Sequence, residues 1–148
     1  MIKKVLWLLL LVTVIAVVMF WLNREQWLKD FNQERQQRTT QLKQQGSAFA
    51  KQANQQQCLE QSFKQLGKCF QFDCTLDQGV FLKSCLTQAQ PSSGFCDGVP
   101  EYREKVTEDD KQWLKDGCWD KNLNGEGCRF LYKQQIHFCS VSKKTKEQ

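Results

Sequence analysis

This chain is poor in the residues that break and turn a backbone. Two prolines and eight glycines punctuate 148 residues, which disfavours a turn-rich β fold and favours helices. Histidine occurs once, at position 137, so no histidine pair can hold a metal or share acid–base work. No cysteine stands in a Cys-x-x-Cys pair, against both a zinc ribbon and a thioredoxin-type redox motif. A glycine-rich phosphate loop and a Gly-x-Ser-x-Gly elbow are likewise missing, so no common nucleotide or hydrolase signature is present.

What the chain does have is eight cysteines. So many in a short chain point to disulfides and an oxidising compartment. Their spacing carries structure. Cys58 and Cys69 are eleven residues apart, as are Cys74 and Cys85, and the pairs mirror each other about Phe70–Asp73. Eleven residues make about three helical turns, so each pair shares one helix face. A turn at Phe70–Asp73 then sets Cys69 against Cys74 and Cys58 against Cys85. The expected result is a helical hairpin with two nested bridges. In the second half Cys128 and Cys139 are also eleven apart, but the mirror of Cys139 about the Cys118–Cys128 loop is Thr107, not Cys96. Pairing Cys118 with Cys128 and Cys96 with Cys139 requires Val99–Val106 to fold back along a helix pair. The spacing leaves the pairing of that half open.

The leader is Met1–Lys4 followed by an apolar run from Val5 to Leu22, in which Thr13 is the only polar residue. Eighteen residues rise about 27 Å, near the thickness of a bilayer core. The run ends in Met19-Phe20-Trp21-Leu22 without small residues for a cleavage site. An uncleaved anchor over residues 1–22 is therefore expected, touching the membrane through residues 5–22. Trp21 and Trp27 suit its water interface. Arg24, Lys29, Arg35 and Arg38 follow the run as closely as Lys3 and Lys4 precede it, so the positive-inside rule does not orient it. The cysteines do: residues 23–148 belong on the oxidising side. The lysine-rich start has a bacterial look, which makes the expected location the inner membrane, with the N-terminus inside and the C-terminal domain in the periplasm.

Past the run, 19 basic and 16 acidic residues mix evenly, a net +3. No dense basic stripe suits nucleic acid, so no nucleic-acid partner is expected. Residues 23–46 read as a polar helical stalk that Gly46-Ser47 interrupts, Ser47 capping the next helix. Residues 47–142 read as a disulfide-linked domain of about four helices in two hairpins, and 143–148 as a disordered tail. Phe49, Ala53, Leu59, Phe63, Leu66 and Phe70 recur at helical steps, and Leu76, Val80, Phe81, Cys85 and Ala89 face them after the turn. Thr75-x-x-Gln78 and Thr107-x-x-Asp110 read as capping boxes, Pro91–Gly94 and Gly117 as helix ends. The fold class is all-α.

Candidate chemistry is sparse. Asp120-x-Asn122-x-Asn124-Gly125 places oxygens at alternate positions before a glycine, as in the first half of a calcium loop. With Cys128 it resembles the extracellular excalibur calcium loop, Asp-x-Asp-x-Asp-Gly-x-x-Cys-Glu. Two of those aspartates are asparagines here and Arg129 replaces the glutamate. The resemblance implies weak calcium binding; ordinary turn chemistry explains the same run. Leu123–Tyr132 is similar to a junction of cysteine-rich Sel1-like helical repeats, and the paired spacings resemble the twin Cx9C helical hairpins. Both imply disulfide-linked helices and, for the repeats, partner binding. Glu108–Asp110 fits a helix N-terminus.

The expected function is non-enzymatic: an extracytoplasmic scaffold or protein-binding module, needing no cofactor unless calcium, that meets an envelope protein through Phe95, Tyr102 and Trp119. The alternatives are a calcium module, a thiol–disulfide enzyme and a subunit similar to phage inner-membrane lysis proteins.

Overall fold

The computed structural model describes residues 2–69 and 72–146. These form five helices: α1 Ile2–Ala50, α2 Gln55–Leu66, α3 Phe72–Leu86, α4 Glu108–Asp120 and α5 Glu126–Lys146. No strand occurs among the described residues. The chain divides into two compact units, Met1–Arg38 and Thr39–Gln148.

The first unit is the leading part of α1. Every side chain from Val5 to Leu22 is exposed, which in water would leave a large apolar area unburied. The two polar side chains at this level turn inward on the helix. The Thr13 hydroxyl donates to Leu10 O at 2.8 Å and the Asn23 amide to Met19 O at 2.8 Å. Each returns a donor to the helix's own backbone. This segment is a candidate single membrane-spanning helix. Together with the disulfides it fits an exported or membrane protein.

The second unit packs the end of α1 and α2–α5 around one core. α5 is its hub and lies against α2, α3 and α4, while α2 pairs with α3. Leu82 and Leu131 are fully buried, as are Cys58, Cys85, Cys128 and Cys139. All eight cysteines are joined, as Cys58–Cys85, Cys69–Cys74, Cys96–Cys139 and Cys118–Cys128. The nested pair of the first hairpin is as the mirror spacing requires. Phe70 and Gln71, at its expected turn, lie outside the described residues.

The second half closes by the fold-back that its spacing demands. Segment 95–102 runs along α5: Gln135 Nε2 donates to Phe95 O at 2.9 Å, Cys96 bonds to Cys139, and the Tyr102 N–H donates to Ser140 Oγ at 2.8 Å. Val99, within the segment, is buried. Three attachments on one face of α5 hold a segment with no helix of its own.

Several local expectations are corrected. Gly46-Ser47 does not interrupt the stalk; α1 runs on to Ala50. The glycine serves close packing instead, since a Cβ there would meet Phe81 O at 2.6 Å. Ser47 caps nothing and shares a hydrogen bond with Ser84 at 3.0 Å, while Ser84 also donates to Lys43 O at 2.8 Å. The break falls at Lys51–Ala53, where Asn54 and Gln57 form a reciprocal capping box for α2. Thr75 lies inside α3, which has already begun at Phe72. Gly117 does not end α4 but sits within it under Tyr132. At the other end, α5 extends to Lys146 into the stretch read as disordered tail.

Candidate functional site

The surface that combines open space with charge lies on the α4–α5 hairpin. Its geometry begins with the start of α4. Thr107 accepts from the Asp110 N–H at 3.2 Å and Asp110 Oδ2 accepts from the Thr107 N–H at 3.0 Å. This is the expected capping box, and it satisfies two donors that a helix start otherwise leaves open. The donated Thr107 N–H, then the Thr107 hydroxyl and the Arg103 guanidinium 3.5 Å away, outweigh desolvation and hold the Asp110 carboxyl below the usual range. At the far end, Cys118–Cys128 clamps α4 to α5. Tyr132 reaches across between Phe63 at 4.8 Å and Trp113 at 5.2 Å, donating its hydroxyl to Gly117 O at 3.1 Å. Burial, with the Asp120 charge behind it, pushes the Tyr132 phenol up.

Between the two helices runs a cleft of about 430 Å³, bordered by Glu108, Lys111, Lys115, Glu126, Arg129 and Lys133. Four cations meet two anions there. Lys111 pairs with Glu108 at 2.7 Å and Arg129 with Glu126 at 2.6 Å, both within one helix turn. Such exposed pairs hold their partners weakly, by about 0–1 kcal/mol. Lys115 and Lys133 carry no ion pair among the described residues. A second hollow of about 230 Å³ continues from Val106 and Lys133 to Tyr102, Arg103 and Ile136. The chemistry available there is electrostatic and hydrogen-bonding. Sequence reasoning missed the four cations. Their i,i+4 spacing, Lys111 with Lys115 and Arg129 with Lys133, is the signal that places each pair on one helix face.

The expected contact aromatics separate. Phe95 is 5% exposed and belongs to the core, edge-on to Phe138 at 6.1 Å. Its place as a contact point is withdrawn: the Cys96–Cys139 bridge next to it draws it inward. Tyr102 is 56% exposed and stands edge-on to His137 at 5.3 Å. Trp119 is 71% exposed and borders neither hollow. The lone histidine is thus engaged in a T-shaped ring contact, and every cysteine is bonded.

The stretch Asp120–Asn124 forms the turn between α4 and α5. Asn122 adopts a left-handed φ of 54° and Gly125 a φ of 116°. Asparagine and glycine tolerate that region best. The Asn122 N–H donates to Trp119 O at 2.9 Å and the Leu123 N–H to Cys118 O at 3.0 Å, closing the end of α4. Among the described residues no three His, Cys, Asp or Glu side chains converge on a metal position, and Asp120 alone of the three proposed ligands is a carboxylate.

No protein-family model, curated protein or solved structure matches this chain.

Proposed function

We propose that the protein is a non-enzymatic binding module held by α1 at the periplasmic face of a bacterial inner membrane, where Thr39–Gln148 docks another envelope protein. The observation that carries this reading is the pairing of all eight cysteines into four bridges in a chain that also exposes an unbroken apolar span. Burial of Cys58, Cys85, Cys128 and Cys139 and the lack of a Cys-x-x-Cys pair suit staples rather than exchanging thiols, which disfavours a thiol–disulfide enzyme. The charged hollow on α4–α5, with the exposed Tyr102 ring on the hollow next to it, supplies what a protein interface uses, an aromatic anchor beside a polar rim; exposed Trp119 is a separate contact point.

A photo-crosslinking amino acid placed at Tyr102, Trp119 and Lys133 of the full-length protein in its own cells tests the proposal. The same discrete adduct from an envelope protein at two or more of these positions is expected. Adducts absent at all three would overturn it.

A further inference from the structure

The stretch of α1 just beyond the apolar run carries an unusual face. At 100° per residue, Trp21, Arg24, Trp27, Leu28, Phe31 and Arg35 fall within an arc of about 120°. Glu25, Lys29, Asp30 and Glu34 fall outside it. All the rings on the arc are exposed and take part in stacking. Trp27 and Phe31 stack with centroids 5.6 Å apart and planes 13° from parallel. The Arg24 guanidinium lies 4.2 Å over the Trp21 ring and that of Arg35 lies 5.7 Å from the Phe31 centroid. Each cation rides on an aromatic face, so it keeps its outer N–H groups free to donate.

Resting on the anchor reading, we infer that this arc is a docking surface for the anionic headgroups of the lipid leaflet next to it. Three observations select lipid. The arc is continuous with the exposed apolar run, so the same solvent that covers Leu22 reaches it. Its length fits: Val5 to Phe31 rises about 39 Å, against 40–45 Å for a bilayer with both headgroup layers. A tilt within the usual 0–40° dips this side of the helix into the headgroup layer. Its charge fits too. Tryptophan and phenylalanine fill the interface while Arg24 and Arg35 reach phosphate oxygens in a bidentate manner. A second copy laid in parallel on the same arc would bring arginine against arginine. The inference also gives Arg24 and Arg35, two of the four cations that blur the orientation rule, a role on the outer leaflet.

The test uses full-length protein labelled with 5-fluorotryptophan, in nanodiscs of phosphatidylglycerol and phosphatidylcholine doped with a gadolinium-headgroup lipid. Single Trp→Phe variants assign the fluorine resonances. Trp21 and Trp27 are both expected to broaden, and Trp27 severalfold less in Arg24→Gln/Arg35→Gln or in pure phosphatidylcholine. Broadening of Trp21 without Trp27 overturns the inference and leaves the anchor intact. Broadening of neither overturns the anchor reading itself. Equal broadening of Trp27 in charged and uncharged lipid overturns the anionic assignment, and an inter-copy crosslink through Phe31 with Trp27 unbroadened assigns the face to a second copy.

Discussion

Gly117 lies directly beneath the ring of Tyr132. A Cβ on Gly117 would stand 2.9 Å from Tyr132 Cζ, and the phenol donates to the Gly117 carbonyl at 3.1 Å. The ring cannot swing away, because Phe63 and Trp113 pack against it. Alanine normally improves a helix interior by about 1 kcal/mol over glycine. Here overpacking by about 1–3 kcal/mol opposes it. Gly117→Ala is expected to lower the thermal midpoint, while Gly117→Ala in a Tyr132→Leu background is expected to raise it; circular dichroism melts of the oxidised protein check both.

Gly46 follows the same logic on another helix. Read as a linker glycine, its replacement by alanine would stabilise. Packed against the Phe81 carbonyl, it is expected to do the opposite, because backbone yields less than a side-chain tip. Gly46→Ala should destabilise by about 1–3 kcal/mol in denaturant titration. A stabilised variant would restore the linker reading.

The difference between these two glycines and the cysteines shows what was legible in the sequence. Cys58, Cys69, Cys74 and Cys85 carry a symmetry along one chain segment, and local periodicity is enough to pair them. Thr107 and Asp110 announce the start of α4 because a capping box involves only four neighbouring residues. Gly46, Gly117 and Phe95 depend on what lies across a helix interface, on Phe81, Tyr132 and the Cys96–Cys139 bridge. Nothing adjacent in sequence reports those partners. The cations of the α4–α5 hollow fall between these cases: each pair has helical spacing, but only the hairpin brings the pairs together.

The four bridges should differ in weight. In the chain-entropy model the bridge closing 5 residues, Cys69–Cys74, contributes about 2 kcal/mol and the one closing 43, Cys96–Cys139, about 4 kcal/mol. Paired Cys→Ala variants should therefore lose stability in the order Cys96–Cys139, Cys58–Cys85, Cys118–Cys128, Cys69–Cys74. Burial of Cys58, Cys85, Cys118, Cys128 and Cys139 adds a cavity cost to the first three. Urea midpoints of the four double variants measure the order.

Acid should weaken the domain through Asp110. Its carboxyl is held below the usual value near 3.9 in the fold. A lowered folded pKa stabilises the native state above the unfolded pKa, and that contribution is lost as pH falls through the folded value. Melting midpoints are expected to drop below about pH 4. Asp110→Asn should flatten this decline and lower the midpoint at neutral pH, where the paired carboxylate is gone.

Calcium should leave the domain unchanged. The Asp120–Asn124 turn is accounted for by its backbone, with one carboxylate available. A calorimetric titration at millimolar calcium is expected to show no heat; saturable heat abolished by Asp120→Asn would establish a site.

The fold of Thr39–Gln148, and the docking proposed for it, rest on four closed staples. The most direct measurement is a disulfide map of the full-length protein, its thiols blocked with N-ethylmaleimide before membranes are isolated. The expected peptides join Cys58 to Cys85, Cys69 to Cys74, Cys96 to Cys139 and Cys118 to Cys128 with no alkylated cysteine. Alkylation of any cysteine in the native protein, or a different pairing, would contradict the account.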